Sequence, residues 1–456
     1  MLRTTPPLSQ PGPTPTARTR RSVWTRIAPT IAGALLLLSC WASWRFTVRR
    51  PGLDYYPIWV VVQWMNDGGN PHVRGLEAQR RLGRYALETS VQGHPRTPES
   101  RAAAANLRLY DGRLEPYATP FLYAALGSVM TGGYERDYTV FSLGSLLVYV
   151  LAAFLLARAL GLSVAAGLVS SAALALPFAP FWSHLVTGNV GALQAAFLFL
   201  CTALLARGGR PLGEVVAGLL FALAVLLKPV IWPAALFMAM TWIRDRSWAH
   251  ALRVIAGGLA GTVLAWGLGC AFFGGFGAWS EWLADLTAML RSSRPIDPFN
   301  CSPLTALRAQ PYARMPVLVS SVLAIAAIAM IGGKARDRES FDARARSRRT
   351  ARATALGCGV ALLVSPYSWL HYYVVAAPLA LVLVADAAAS RGTAATRAGF
   401  GFALTAALLL LSTPLHRSGL PLRLVELVLA NVGLAVLVLL GLASTAAEQR
   451  RAPEST

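Results

Sequence analysis

Long apolar runs recur along almost the whole chain, separated by short polar stretches. A helix that crosses a bilayer needs about 20 such residues, fewer where it crosses part-way. The pattern predicts helical spans near residues 27–45, 139–158, 163–182, 189–206, 213–227, 230–243, 252–273, 316–332, 354–370, 372–389, 399–413 and 422–443. The stretch 213–243 is open to two readings, one long tilted helix or two short ones, because Lys228, Pro229 and Pro233 sit in its middle. Residues 1–26, rich in Pro, Thr and Arg, read as a disordered basic segment. IAGALLLLSCWASW looks like the apolar core of a signal sequence. Leu38 fits poorly two positions before Cys40 in a lipoprotein box, and more spans follow, so an uncleaved anchor is expected.

The polar intervals are unequal. Residues 46–138 and 274–315 are long, 333–353 is short and basic, and 444–456 is a tail that follows the 27–443 transmembrane region. Long connections between packed elements more often carry function than idle sequence. Within the first, Ile58, Trp59, Val62 and Met65 fall on one helical face and predict an interfacial helix. GLEAQRRLGRYALE and PESRAAAANLRLY also read as helices.

Composition fits this picture: 55% of the 456 residues are hydrophobic and 14% charged. The formal charge of +21 does not point to nucleic acid, because the arginines cluster in short loops between apolar runs, as the positive-inside pattern requires. Arg207 and Arg210 precede 213–243, and Arg244, Arg246 and Arg253 follow it. With both flanks on one side, the chain must enter and return, with Lys228-Pro229 at the apex. KARDRESFDARARSRRTAR anchors the same side, and the count closes at about 12 spans with both termini cytoplasmic. The fold expected is an all-α polytopic membrane protein whose two long loops and Lys228 apex share the external face. Cys40, Cys201, Cys270, Cys301 and Cys358 are scattered and form neither a disulfide nor a zinc pattern. No Walker loop, GxSxG motif or metal-ligand spacing occurs, and neither cofactor nor metal is expected.

Polar residues at membrane boundaries are costly to hold and carry the candidate chemistry. Asp54, just past the first span, suits a general base, although spacing alone favours its capping the helix that follows. Asp67, in NDGGNP, suits a turn. Lys228 suits an anionic phosphate, or equally a lysine snorkelling from a span end. His371, with Trp369 and Tyr367, interrupts an apolar run; an aromatic belt accounts for the tyrosine better than for the histidine. Trp279, Trp282, Arg291, Arg294 and Asn300 lie in the second long loop, where arginine forks suit phosphate and a solvated basic helix end is the alternative. Asn189 and Gln194, near the start of a span, suit hydrogen bonds between helices.

Taken in order, these segments resemble a known family. LDYYPIWVVVQWMNDGGNPH, TPFLYAALGSVMTGG, LVTGNVGALQAAFLFL, GLLFALAVLLKPVIWPAALF, NCSPLTALR and SPYSWLHYYVVAAPLAL follow the motif series of glycosyltransferase family 87 over roughly residues 45–390. The family's Gly-Gln-x-Asn signature here reads Gly188-Asn189-Val190-Gly191, and the second histidine of its His-His pair is Tyr372. The resemblance implies a GT-C-type fold in the plasma membrane and transfer of a sugar, mannose first among the choices, from a polyprenyl monophosphate to a glycolipid or glycan acceptor of the cell envelope. It implies Asp54 as base, with Lys228, His371, Arg291 and Arg294 on the donor phosphate and Tyr55, Trp369, Asn300 and Asn189 on the substrates. A transporter or flippase of lipid-linked sugars is the rival; it would show paired broken helices in related halves, and only the one Lys-Pro break is visible.

Overall fold

The computed structural model describes residues 15–47, 49–69, 76–91, 97–109, 111–114, 118–176, 178–291, 343–365, 368–390, 393–412 and 420–451, and the described residues form helices and no strand. In chain order the helices are α1 (Pro15–Thr47), α2 (Tyr55–Asn66), α3 (Leu76–Ala86), α4 (Pro98–Leu109), α5 (Pro120–Gly127), α6 (Tyr134–Ala159), α7 (Val164–Ala175), α8 (Ala179–Thr187), α9 (Gly191–Arg207), α10 (Pro211–Leu227), α11 (Ala234–Arg244), α12 (Trp248–Phe273), α13 (Gly277–Arg291), α14 (Ala343–Val364), α15 (Ala377–Ala389), α16 (Ala394–Leu411) and α17 (Leu420–Arg451). A π-helical turn, Leu87–Val91, follows α3, and 3₁₀ turns occupy Pro229–Ile231 and Leu370–Ala376. α1 begins inside the stretch expected to be disordered. The span expected at 316–332 lies outside the described residues.

Six helices among the described residues are long and apolar enough to cross a membrane, or seven if α7 and α8, bent by 53°, make one broken span. The chain is a multi-pass membrane protein. Burial separates the inner helices from the outer: 56% of the apolar window of α6 is covered by protein, against 17% in α1 and in α16. The outer helices expose apolar side chains such as Leu37, Leu38, Phe402 and Leu409.

The ambiguous stretch 213–243 is two helices. Near the start of α10, Glu214 pairs with Arg253 and lies 2.9 Å from His250 Nδ1, both near the start of α12. Further on, Gly218 faces Val254, and Ala222 faces Gly261. Contacts advance together along both helices, so α10 and α12 run parallel and the chain between them must come back. It returns through α11, which packs on α14. The break falls at Lys228, whose backbone is extended at φ −157° and ψ 112°. Pro229 donates no N–H, so the last carbonyls of α10 need partners from elsewhere. Gln194 Nε2 donates to Ala224 O (2.9 Å) and Lys228 O (2.6 Å), and Thr119 Oγ1 donates to Leu226 O (2.6 Å).

The two ends of the bundle differ in chemistry. At the end where α9 and α11 finish and α10, α12 and α14 begin, arginines meet carboxylates and helix C-termini. Arg349 Nε lies 2.6 Å from Asp245 Oδ2, Arg352 pairs with Asp386, Ser347 Oγ donates to Leu205 O (2.7 Å) and Arg348 Nε to Ala206 O (3.3 Å). Cations on orphan carbonyls complement a helix C-terminus. The opposite end holds Asp54, the start of α9, the Lys228 break and Trp369–His371.

The described parts of the first long interval form helices that cap that second end. α2 departs from the expected interfacial helix: Tyr55, Tyr56, Ile58, Trp59, Val60, Val61 and Val62 are all buried, so both of its faces are covered. Tyr56 Oη donates to Ser90 Oγ (2.8 Å), and Tyr85 Oη to Asp67 Oδ2 (2.5 Å) at the C-cap of α2. Burial first, then the Asp67 hydrogen bond, push the Tyr85 phenol above its ordinary pKa.

Close approach of α10 and α12 requires glycine: a Cβ on Gly218 would strike the Val254 carbonyl, and one on Gly257 the Val215 carbonyl. Gly257→Val is expected to destabilise the fold by about 1–3 kcal/mol or more, read as a lower melting temperature in detergent. Gly144→Ala, in open space on α6, is expected to leave it unchanged or slightly raised.

Candidate active site

Asp54 sits at the foot of α2, but its carboxylate makes no cap there; the residue is already helical at φ −84° and ψ −22°. The capping role that local spacing favours is displaced by a partner 135 residues away. Asn189 Nδ2 donates to Asp54 Oδ2 at 2.7 Å. The carbonyl end of the same amide accepts from Lys228 Nζ (3.3 Å) and from Gly191 N (3.0 Å). Two donors on one end and a carboxylate on the other fix which way the amide points.

His371 approaches the same carboxylate, with Nε2 3.4 Å from Asp54 Oδ2. The 3₁₀ turn that carries it, Leu370–Ala376, follows α14 in the chain and packs on α8 and α9. Gly191 eases that approach, because a Cβ there would come 3.1 Å from Val374 Cγ1 and 3.3 Å from His371 O. Trp369 stacks near His371, ring centroids 6.2 Å apart, and Tyr372 places its ring beneath Lys228 Nζ at 3.2 Å. Cation–π attraction and the Asn189 carbonyl together hold the ammonium. His371 shows 8% of its side chain to solvent and Asp54 36%, so the carboxylate is the more open of the two.

Beneath the site lies an aromatic layer. Tyr55 is 1% exposed and packs against Tyr134, Tyr138 and Phe141, with centroids 5.9, 5.4 and 4.8 Å away. Tyr134 Oη donates to Pro51 O, and Tyr138 Oη to Leu185 O at 3.4 Å. Asp137, buried at the start of α6, accepts from Trp59 Nε1 (3.2 Å), Thr131 Oγ1 (2.7 Å), Thr131 N (2.9 Å) and Gly132 N (3.1 Å). That set of donors makes it a structural pin between α2 and α6.

Asp54, Asn189, Lys228, His371 and Trp369 therefore converge, and Tyr55 lies under them rather than on the open side. Arg291 ends α13; Arg294 and Asn300 lie outside the described residues. Sequence reasoning missed Asn106, whose Nδ2 donates to Leu53 O at 2.9 Å. It sits in an alanine-rich helix and shows no signal of its own. Among the described residues no group of three or more His, Cys, Asp or Glu is placed to hold a metal.

The approach of α2 to α8 depends on two left-handed glycines, Gly52 (φ 68°) and Gly188 (φ 66°). A Cβ on Gly188 would lie 2.8 Å from Tyr138 Cε2 and 3.1 Å from Gly52 Cα. Gly188→Ala is expected to cost about 1–2 kcal/mol from the backbone alone, more with the clash, read by thermal unfolding.

The family model described as glycosyltransferase family 87 matches residues 117–366, more than half of the chain. The match takes in Asn189 and Lys228; Asp54 precedes it, and Trp369 and His371 follow it. No curated protein and no solved structure matches.

Proposed function

Because the chain belongs to glycosyltransferase family 87, it is a membrane enzyme that transfers a sugar, and we propose that the sugar travels from a polyprenyl monophosphate to an acceptor hydroxyl at the external face of the plasma membrane. Mannose is the sugar the motif series favours, within a GT-C-type architecture, and the acceptor is a glycolipid or glycan of the cell envelope. The observation that carries the reading is the chain Asp54–Asn189–Lys228: a carboxylate and an ammonium on opposite ends of one fixed amide.

A donor of this class needs a base on the acceptor side and a cation on the leaving side. In the proposed step the acceptor oxygen attacks the anomeric carbon while its proton passes to Asp54. The bond from that carbon to the phosphate oxygen breaks, and its electron pair stays on the departing polyprenyl phosphate. Attack from the face opposite the phosphate inverts the anomeric centre. Lys228 meets the charge that develops on the leaving phosphate, an electrostatic contribution that is large where water is scarce. His371, against the base and beside Trp369, steadies Asp54 and faces the donor; Trp369 offers the sugar an apolar face. Arg291 and Arg294, and Asn300 and Tyr55, remain proposed contributors to donor and substrate binding, Tyr55 through the layer under the site.

The test is transfer from radiolabelled polyprenyl-phosphate-mannose in membranes carrying the intact protein or its variants. Asp54→Asn is expected to lower turnover by about 10²- to 10⁴-fold while polyprenyl monophosphate still binds. Full transfer by a normally expressed Asp54→Asn protein would remove Asp54 as base. Lys228→Met is expected to weaken polyprenyl monophosphate binding about ten- to a hundredfold, as loss of a charge-assisted contact does. Equal binding by that variant in an equilibrium titration would take Lys228 off the phosphate.

A further inference from the structure

The peptide joining Leu53 to Asp54 is held from both sides. Its N–H donates to Thr187 O at 2.6 Å, at the C-terminal end of α8. Its carbonyl accepts from Asn106 Nδ2 at 2.9 Å, reaching over from α4. A peptide unit is planar, so two hydrogen bonds at opposite edges fix the orientation of the whole plane and with it the direction in which Asp54 leaves the backbone. The next residues hang from the same corner, since Tyr55 N and Tyr56 N both donate to Gly52 O, at 3.1 and 3.0 Å.

Asn106 is built into its place. It is 3% exposed, and its Nδ2 also donates to Ala102 O (3.0 Å), so both protons of the amide are spent on carbonyls. Ala102 and Ala103 on the same helix are fully buried. The helix is started by Thr97, whose Oγ1 accepts from Ser100 N (3.1 Å), and the segment before it is tied to α2 by the Tyr56–Ser90 bond. Two of these contacts, Asn106 to Leu53 O and Tyr56 to Ser90, fasten α4 and the turn before it to the short stretch that carries Asp54, and neither reaches Lys228 or His371.

We propose that Asn106 is a positioning residue for Asp54, and that α4 serves the reaction by bracing the Leu53–Asp54 peptide. The proposal rests on the reading of Asp54 as the base. Asn106 touches neither substrate; it acts by keeping the carboxylate where Asn189 and His371 meet it. A displacement of that carboxylate by about 1 Å is enough to lower the chemical step by roughly 10²-fold.

The experiment is a double-mutant cycle on the full chain in nanodiscs, with the polyprenyl-phosphate sugar that the intact enzyme turns over, using Asn106→Leu, Asp54→Asn and the pair. Turnover is normalised to sites that bind polyprenyl monophosphate, which removes any misfolded fraction; Asn106→Ser, with a hydroxyl donor, is the milder second variant. Expected is a loss in kcat of roughly ten- to a hundredfold for Asn106→Leu with donor KM nearly unchanged, a smaller loss for Asn106→Ser, and no further loss when Asn106→Leu is added to Asp54→Asn. Hydrogen exchange at the Asp54 amide is expected to speed up in Asn106→Leu, with α6 unchanged. Unaltered kcat, an equal loss in both backgrounds, or unaltered exchange at that amide overturns the proposal. Full activity of Asp54→Asn alone overturns the base assignment instead, and the exchange measurement still judges the brace.

Discussion

A carboxylate and a lysine ammonium stand at one end of the bundle, and the Asn189 amide answers to both. Left without partners between packed helices, the Lys228 ammonium would carry a desolvation penalty. Joined directly, they would form a closed ion pair with nothing left to offer a substrate. The intervening amide keeps them one side chain apart while satisfying each, Asp54 Oδ2 at 2.7 Å and Lys228 Nζ at 3.3 Å. Much of the surrounding architecture keeps that amide in register: the Gly188 turn before it, the Gly191 amide that holds its oxygen, and the Gln194 side chain one turn further on that carries the Lys228 backbone.

The path of the chain was legible in its charges. Arginines on both flanks of 213–243 predicted a return, and the parallel run of α10 and α12 is what a return produces. Short loops obey such a rule because their charges have nowhere else to go. The cap over the site was not legible in the same way. The apolar face of α2 is genuine, yet Tyr55, Val60 and Val61 are buried too, because α4 and α6 close over the side that a lone amphipathic helix would give to the interface. Local pattern cannot report packing by elements forty or eighty residues away.

Asp54 shows the same limit at the scale of one side chain. Helix-capping preference is a local competition, and locally a cap is the best offer a carboxylate at that position receives. Asn189 makes a better one from across the fold, a fixed amide donor backed by a cation. Tyr372 is read differently once the fold is in view. As a departure from a His-His pair it looks like a lost donor; in place, its ring face lies 3.2 Å under the Lys228 ammonium and helps to hold the charge.

Gly52 and Gly188 belong to separate elements, yet a methyl group on either would meet the ring of the same residue, Tyr138, at 2.6 Å from Gly52 and 2.8 Å from Gly188. The obstacle to a side chain at either position is therefore not removed by changing the other. Both glycines also hold a left-handed backbone, so clearing the ring would still leave a side chain at either position strained. The junction that sets Asp54 against Asn189 is thus constrained by shape at both glycines, whatever sugar or acceptor the enzyme comes to use.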